Sequence, residues 1–266
     1  MDIHKPKPVH NLREFLGEIL IIVIGVLIAL GLEQAVEAWH WRHQVENAES
    51  ALGSELSETV GQGNERITVS DCVDRRLDQL ADIVDRAAES GRLPPVGDIA
   101  MPPSRTWSTG VWQSTLAGQT GEHLGNDERI AFSVTYGFVA LLGSTNAREL
   151  EIWTRLYALV GPGRALQPGE ASELRRAISE ARTANQIMGL SSVRVEQTTQ
   201  VRGVELDSGF VHSFDQPKAD YAICRPLGAV PARYGSAPIA DAIDRARAAP
   251  IRNGSAGRPI AGATPR

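Results

Sequence analysis

The chain has 266 residues, enough for one sizeable domain or two small ones, and its 42% apolar and 22% charged content is that of a folded protein. The formal charge of −5 excludes a surface of clustered Lys and Arg that would grip phosphates, so no nucleic-acid partner is expected. Lysine stands only at Lys5, Lys7 and Lys218; every other fixed positive side-chain charge is Arg.

The first element is apolar. Phe15 to Leu32 reads FLGEILIIVIGVLIALGL, with a single charge at Glu18. As a helix it spans roughly 27 Å, close to the ~30 Å of a bilayer's hydrocarbon core. Ile19 to Leu32 carries no polar side chain, whereas a soluble surface helix keeps a polar stripe. A cleaved secretory signal is the competing reading: a basic n-region is present, but the apolar run is long and no A-x-A pattern closes it. Lys5, Lys7 and Arg13 precede the run and only Arg42 follows closely. The positive-inside bias then places the N-terminus in the cytoplasm and the C-terminal domain in the periplasm, on a bacterial inner-membrane anchor. Trp39 and Trp41 sit where aromatic rings settle at the headgroups, with core packing as the alternative. Gly17, Gly25 and Ala29 share one helix face and would permit close packing with a second copy or a membrane-protein partner. Glu18 either snorkels to the inner headgroups or meets a polar group of such a partner.

The run His10-Asn11-Leu12-Arg13-Glu14-Phe15-Leu16-Gly17-Glu18, followed from Ile21 by IIVIGVLIALGLEQ to Gln34, resembles the opening of a family of uncharacterised bacterial single-pass membrane-anchored proteins. The resemblance covers about residues 10–43. It implies the same topology and a helical outer part, and it supplies no functional residue.

Beyond the membrane segment the pattern stays helical. Five regions are expected: a cytoplasmic tail (1–14), a transmembrane helix (15–33), a helical stalk (34–63), an extracytoplasmic helical domain (64–249) and a disordered tail (250–266) rich in Gly, Pro, Ala and Arg. Gly61 and Gly63 read as a break after the stalk. Val73, Leu77, Leu80, Val84 and Ala87 then form a stripe of helical period between Asp71 and Ser90. Leu93 to Arg105, with four prolines, reads as a linker. A short helix over Ser108 to Ala117 would bury Val111, Trp112 and Leu116. Asn126 is the expected N-cap of a long helix that buries Ile130, Val134, Phe138 and Leu141, bends near Gly143, and continues through Ile152, Leu156 and Leu159. Gly161-Pro162-Gly163 ends it. Another helix runs from Glu170 to about Leu190 with Leu174, Ile178, Ala181 and Met188 inside, while Val193 to Val204 fits strand alternation almost as well. Asp207 to Leu227 reads as a packed loop, and Ala240 to Ala249 as a short helix. The expected fold is all-α: a transmembrane helix running into a stalk, then an antiparallel helical bundle with an irregular C-terminal segment.

Cys72 and Cys224 are the only cysteines. In an oxidising compartment an even count points to a bridge, here closing a loop of about 150 residues; two buried free thiols are the alternative. No C-x-x-C marks a redox-active pair. Glu37, His40 and His43 are spaced by three but do not converge as a metal site requires. No G-x-S-x-G elbow, Walker A loop or G-x-G-x-x-G is present. No cofactor and no metal are therefore expected. The sequence points to a membrane-anchored extracytoplasmic interaction or sensing module without catalytic activity. The alternative is an exported enzyme built around His123 or His212 and acids yet to be identified.

Overall fold

A computed structural model describes residues 12–201, 203–228 and 247–248. The expected helix at Ala240 to Ala249 lies almost wholly outside these residues, and the expected tail at 250–266 wholly so. The chain is all-α, with 79% helix and 3% strand. Its first helix, α1 (Leu12–Ser90), is 79 residues long, a rod of about 120 Å. After it come β1 (Arg92–Leu93), α2 (Gly110–Ala117), α3 (Thr120–His123), α4 (Asn126–Leu156), β2 (Arg164–Ala165), α5 (Glu170–Val201) and α6 (Ser208–Val211). β1 and β2 form a two-residue antiparallel pair, Arg92 beside Ala165 and Leu93 beside Arg164.

α1 changes character along its length. From Ile19 to Leu32 every side chain is exposed although all are apolar; from Leu52 onward one face is buried. The break expected at Gly61 and Gly63 does not occur, because these glycines serve tertiary contact instead of a turn. A Cβ on Gly61 would lie 2.6 Å from the Val211 carbonyl oxygen, and one on Gly63 would lie 3.1 Å from Ser192 Cβ. The α6 segment and α5 lie against the bare backbone at these positions. An alanine at Gly61 should therefore push α6 off α1 and lower stability by about 1–3 kcal/mol, the usual penalty of overpacking. Thermal unfolding reads the loss, and unchanged stability would mean that α6 contributes nothing there.

α4 ascends beside α1. Tyr136 meets Glu55 across 2.7 Å and, further along both helices, Glu149 meets Arg66 across 2.7 Å. α5 returns in the opposite sense, with Arg175 paired to Asp85, Arg182 to Asp78 and Asn185 to Ser70. α5 packs on both other long helices. Its surface ion pairs are worth about 0–1 kcal/mol each, so the apolar faces carry the packing. Two apolar clusters result. The distal one gathers Val73, Leu77, Leu80 and Val84 of α1 with Trp153 and Leu156 of α4 and Leu174, Ile178 and Ala181 of α5. The proximal one gathers Leu52, Leu56 and Val60 with Trp112, Phe132, Tyr136 and Met188. Trp112 stacks on Tyr136, with ring centroids 5.5 Å apart.

The structure corrects several further expectations. α4 runs through Gly143 as one uninterrupted helix, and Gly125, not Asn126, is its N-cap residue. Its buried face is Ala131, Phe132, Thr135, Tyr136, Val139 and Leu142, so Ile130, Val134 and Leu141 point outward. Leu116 is likewise exposed, because α2 buries Trp112 and Thr115. α5 continues to Val201, which removes the strand reading of Val193 to Val204; Val195 and Thr199, one turn apart, are buried by the helix. The proline-rich stretch after β1 is packed rather than free, with Leu93, Val96 and Ile99 in the distal cluster.

Candidate functional site

The helical repeat of α1 places several charged residues on the same face as its leucines, and the fold must satisfy them. The Glu55 carboxylate accepts from Ser108 Oγ (2.6 Å), the Val111 amide (3.1 Å) and Tyr136 Oη (2.7 Å). Burial, followed by this hydrogen bond and the Glu55 charge, pushes the Tyr136 phenol well above its ordinary value. Between the two apolar clusters Arg66 donates to Glu149 (2.7 Å) and Asn185 Oδ1 (3.1 Å). Asn185 in turn donates to the Ser70 carbonyl and to Asp74. Burial lowers the Arg66 pKa and raises that of Glu149, while each partner's charge acts the opposite way. Arg66 Nε and Nη1 are buried with no acceptor, so the pair is incompletely satisfied. Glu65 receives a two-pronged pair of bonds from Arg105, at 2.6 and 2.5 Å. Each of these partners lies 40 or more residues from the other in sequence, and no motif marks them.

One turn beyond Cys72, Arg76 is buried and donates to the carbonyl oxygens of Ile99 (3.0 Å), Ile223 (3.4 Å) and Arg225 (2.5 Å). Cys72 and Cys224 form a disulfide, with Cα atoms 4.7 Å apart. Bridge and guanidinium together fix the 218–227 segment to α1. Lys218 pairs with Asp71 at the same place and holds its carboxyl below the usual range.

A groove opens where α1, the start of α4, Thr198 of α5 and the 203–208 loop converge, with a volume of about 1120 Å³. Leu56, Phe132, Val204 and Leu206 contribute apolar surface; Glu46, Glu49, Asp127, Glu128, Glu205 and Asp207 contribute carboxylates, and among the described residues no Lys or Arg lines it. Glu49 is pushed above the usual carboxylate range by burial first, then by Glu128 and Glu46. Asp207 is engaged at the tip of α6, accepting from the Gly209 and Phe210 amides. Such a surface repels anions and favours groups that bring positive charge beside apolar area.

A second cleft, about 520 Å³, lies nearer the apolar run, between α1 and α3. There Trp41 stacks on His123, with centroids 4.0 Å apart and planes 15° from parallel. Trp39, by contrast, is 64% exposed. Gly25, Ala29 and Glu18 are exposed on α1 and Gly17 is half-buried, and a Cβ added at either glycine would meet nothing within 4 Å. His123 and His212 are not brought together: the first packs on Trp41, and the second is an exposed partner of Asp215 at 2.7 Å. Among the described residues, no group of three or more His, Cys, Asp or Glu is placed to hold a metal ion.

Among the described residues, two helices are long and apolar enough to cross a membrane: α1 through its N-terminal run, wholly exposed, and the stretch Asn126–Leu159, partly buried in the domain. No protein-family model, curated protein or solved structure matches the chain.

Proposed function

We propose that this chain is a membrane-anchored interaction or sensing module without catalytic activity, its helical bundle presented in the periplasm on a single inner-membrane helix whose N-terminus is cytoplasmic. It works through a membrane partner or a second copy. The observation that carries this reading is the change of character within α1. One unbroken helix exposes fourteen consecutive apolar residues, Ile19 to Leu32, and then becomes a core element of the domain. In water the first part would be an exposed apolar surface far beyond what a soluble monomer tolerates, and lipid removes that penalty. The flanking Lys5, Lys7 and Arg13 supply the orientation. The acidic groove, on the side of the domain nearer the bilayer, is the surface offered to a ligand or partner.

Thiol labelling tests the reading. In spheroplasts a membrane-impermeant maleimide should label a cysteine introduced at exposed Arg176 and spare one introduced at Asp2, and the native thiols should label only after denaturation and reduction. The reverse pattern for the introduced cysteines puts the domain in the cytoplasm and overturns the proposal, and release of the chain by an alkaline wash removes the anchor.

A further inference from the structure

The outward face of α4 remains after the grooves and the buried network are accounted for. From Ile130 to Ala147 the helix carries no Asp, Glu, Lys, Arg or His. Ile130, Val134 and Leu141 are 51%, 50% and 42% exposed. Beside them Ser133, Gly137, Ala140, Ser144 and Ala147 are exposed too, at steps of four, three, four and three residues. A Cβ on Gly137 would meet nothing within 4 Å. This alternation is the spacing with which two helices pack at a shallow left-handed crossing, with small residues letting the axes approach and larger ones filling the flanks.

Lipid does not cover this face. The first turn of α4 is level with Glu46 and Glu49 of α1, whose carboxylates share the groove with Asp127 and Glu128. Leu32 to Glu49 is a rise of about 25 Å along the helix. α4 then ascends beside α1, away from the apolar run.

We propose that this face pairs with the same face of a second copy of the chain, in a parallel dimer whose two-fold axis runs along the membrane normal. This rests on the anchored reading above, because anchors inserted one way leave only axes of that direction. About such an axis residue n of one copy meets residue n of the other. Any ionised side chain on the seam would face its own like charge, which costs several kcal/mol. A heterologous partner imposes no such condition, since its charges can complement. The eighteen uncharged residues from Ile130 to Ala147 meet the self-pairing condition. The exposed face of α1 between Asp71 and Glu89, with Asp78, Asp82 and Asp85, does not. Confinement to one membrane plane also raises the effective concentration of the two faces.

The test uses the full chain in its membrane. With the native cysteines bridged, Gly137→Cys supplies the one free thiol, and a short bismaleimide should give a product of twice the monomer mass. Arg176→Cys on α5 and the unmodified chain should give none. Adding Ala140→Glu to Gly137→Cys should lower the dimer yield about tenfold or more. Residue 140 is exposed in the monomer, so an unchanged melting profile shows that folding survives. No dimer from Gly137→Cys, an equal yield from Arg176→Cys, a product of another mass, or indifference to Ala140→Glu each overturns the proposal. A chain missing from the membrane fraction overturns the anchored reading instead.

Discussion

Replacing Arg66 with leucine is expected to lower the free energy of unfolding by about 3–5 kcal/mol at neutral pH, because it strands the Glu149 carboxylate in the interior. The Arg66 and Glu149 side chains are 1% and 4% exposed, so solvent offers little relief. Burial already raises the Glu149 pKa, and Arg66 is what pulls it back down. The variant keeps the first effect and loses the second, so the pKa rises further. A carboxyl whose folded pKa exceeds its unfolded value holds its proton more tightly in the folded state. Its stability contribution is therefore most favourable in acid and is lost as pH rises through the folded pKa. The deficit of Arg66→Leu should be full at neutral pH and shrink on acidification, toward the unfolded carboxyl value of about 4.3. Urea unfolding at pH 7 and pH 5 measures it. Equal deficits at both would show that Glu149 is not the group left stranded. Changing both residues to leucine removes the stranded charge together with an incompletely satisfied guanidinium, and should bring stability back to within about 1 kcal/mol of the unmodified chain.

Loss of the Cys72–Cys224 bridge is expected to lower stability by about 2–5 kcal/mol, and to do so unevenly. Most of the chain is held by the two apolar clusters, of which the bridge touches only the distal one, through Cys72 and Cys224. The 218–227 segment has less: Tyr221 and Ile223 in the distal cluster, the Lys218–Asp71 pair, and the Arg76 guanidinium on two of its carbonyls. In a Cys72→Ser, Cys224→Ser chain this segment should open first, and trypsin should cut after Lys218 before it cuts α4 or α5. Limited proteolysis followed by mass spectrometry reads the order. Simultaneous loss of all fragments would mean that the segment and the helices unfold as one unit.

Much of the fold was legible in the sequence because its signals are local. The run from Ile19 to Leu32 announces itself by composition. The stripes Val73 to Ala87 and Leu174 to Met188 carry helical period with charges marking the outer side. The two cysteines needed only a parity argument to be paired. Elsewhere the missing information was long-range. Gly61 and Gly63 look like a break by intrinsic preference, and only the α6 segment and Ser192 show why a side chain is excluded. In α4, Ile130, Val134 and Leu141 form as good a stripe as Ala131, Thr135, Val139 and Leu142. With no charge between Arg129 and Arg148 to mark the outside, periodicity alone could not choose the buried face. The Arg66–Glu149 pair spans 83 residues, so nothing in either neighbourhood reveals it. The acidic groove likewise draws on four separate stretches of chain.

The absence of an interruption in α1 has a geometric consequence for any signal carried along it. Each residue of an α-helix turns by about 100° and advances about 1.5 Å, so the apolar run and the domain-bearing part are two ends of one screw with a fixed phase. A rotation of the domain about the α1 axis becomes the same rotation of the faces that carry Gly25 and Glu18, with no hinge between Leu32 and Leu52 to absorb it. One alanine inserted near Gln44 would swing the groove about 100° around the apolar run, whereas four would return it to within about 40° of its first bearing and lift it by about 6 Å. Bearing and height are thereby separable, and under the proposed anchoring a pair of such insertions distinguishes a partner that reads orientation from one that reads only distance from the apolar run.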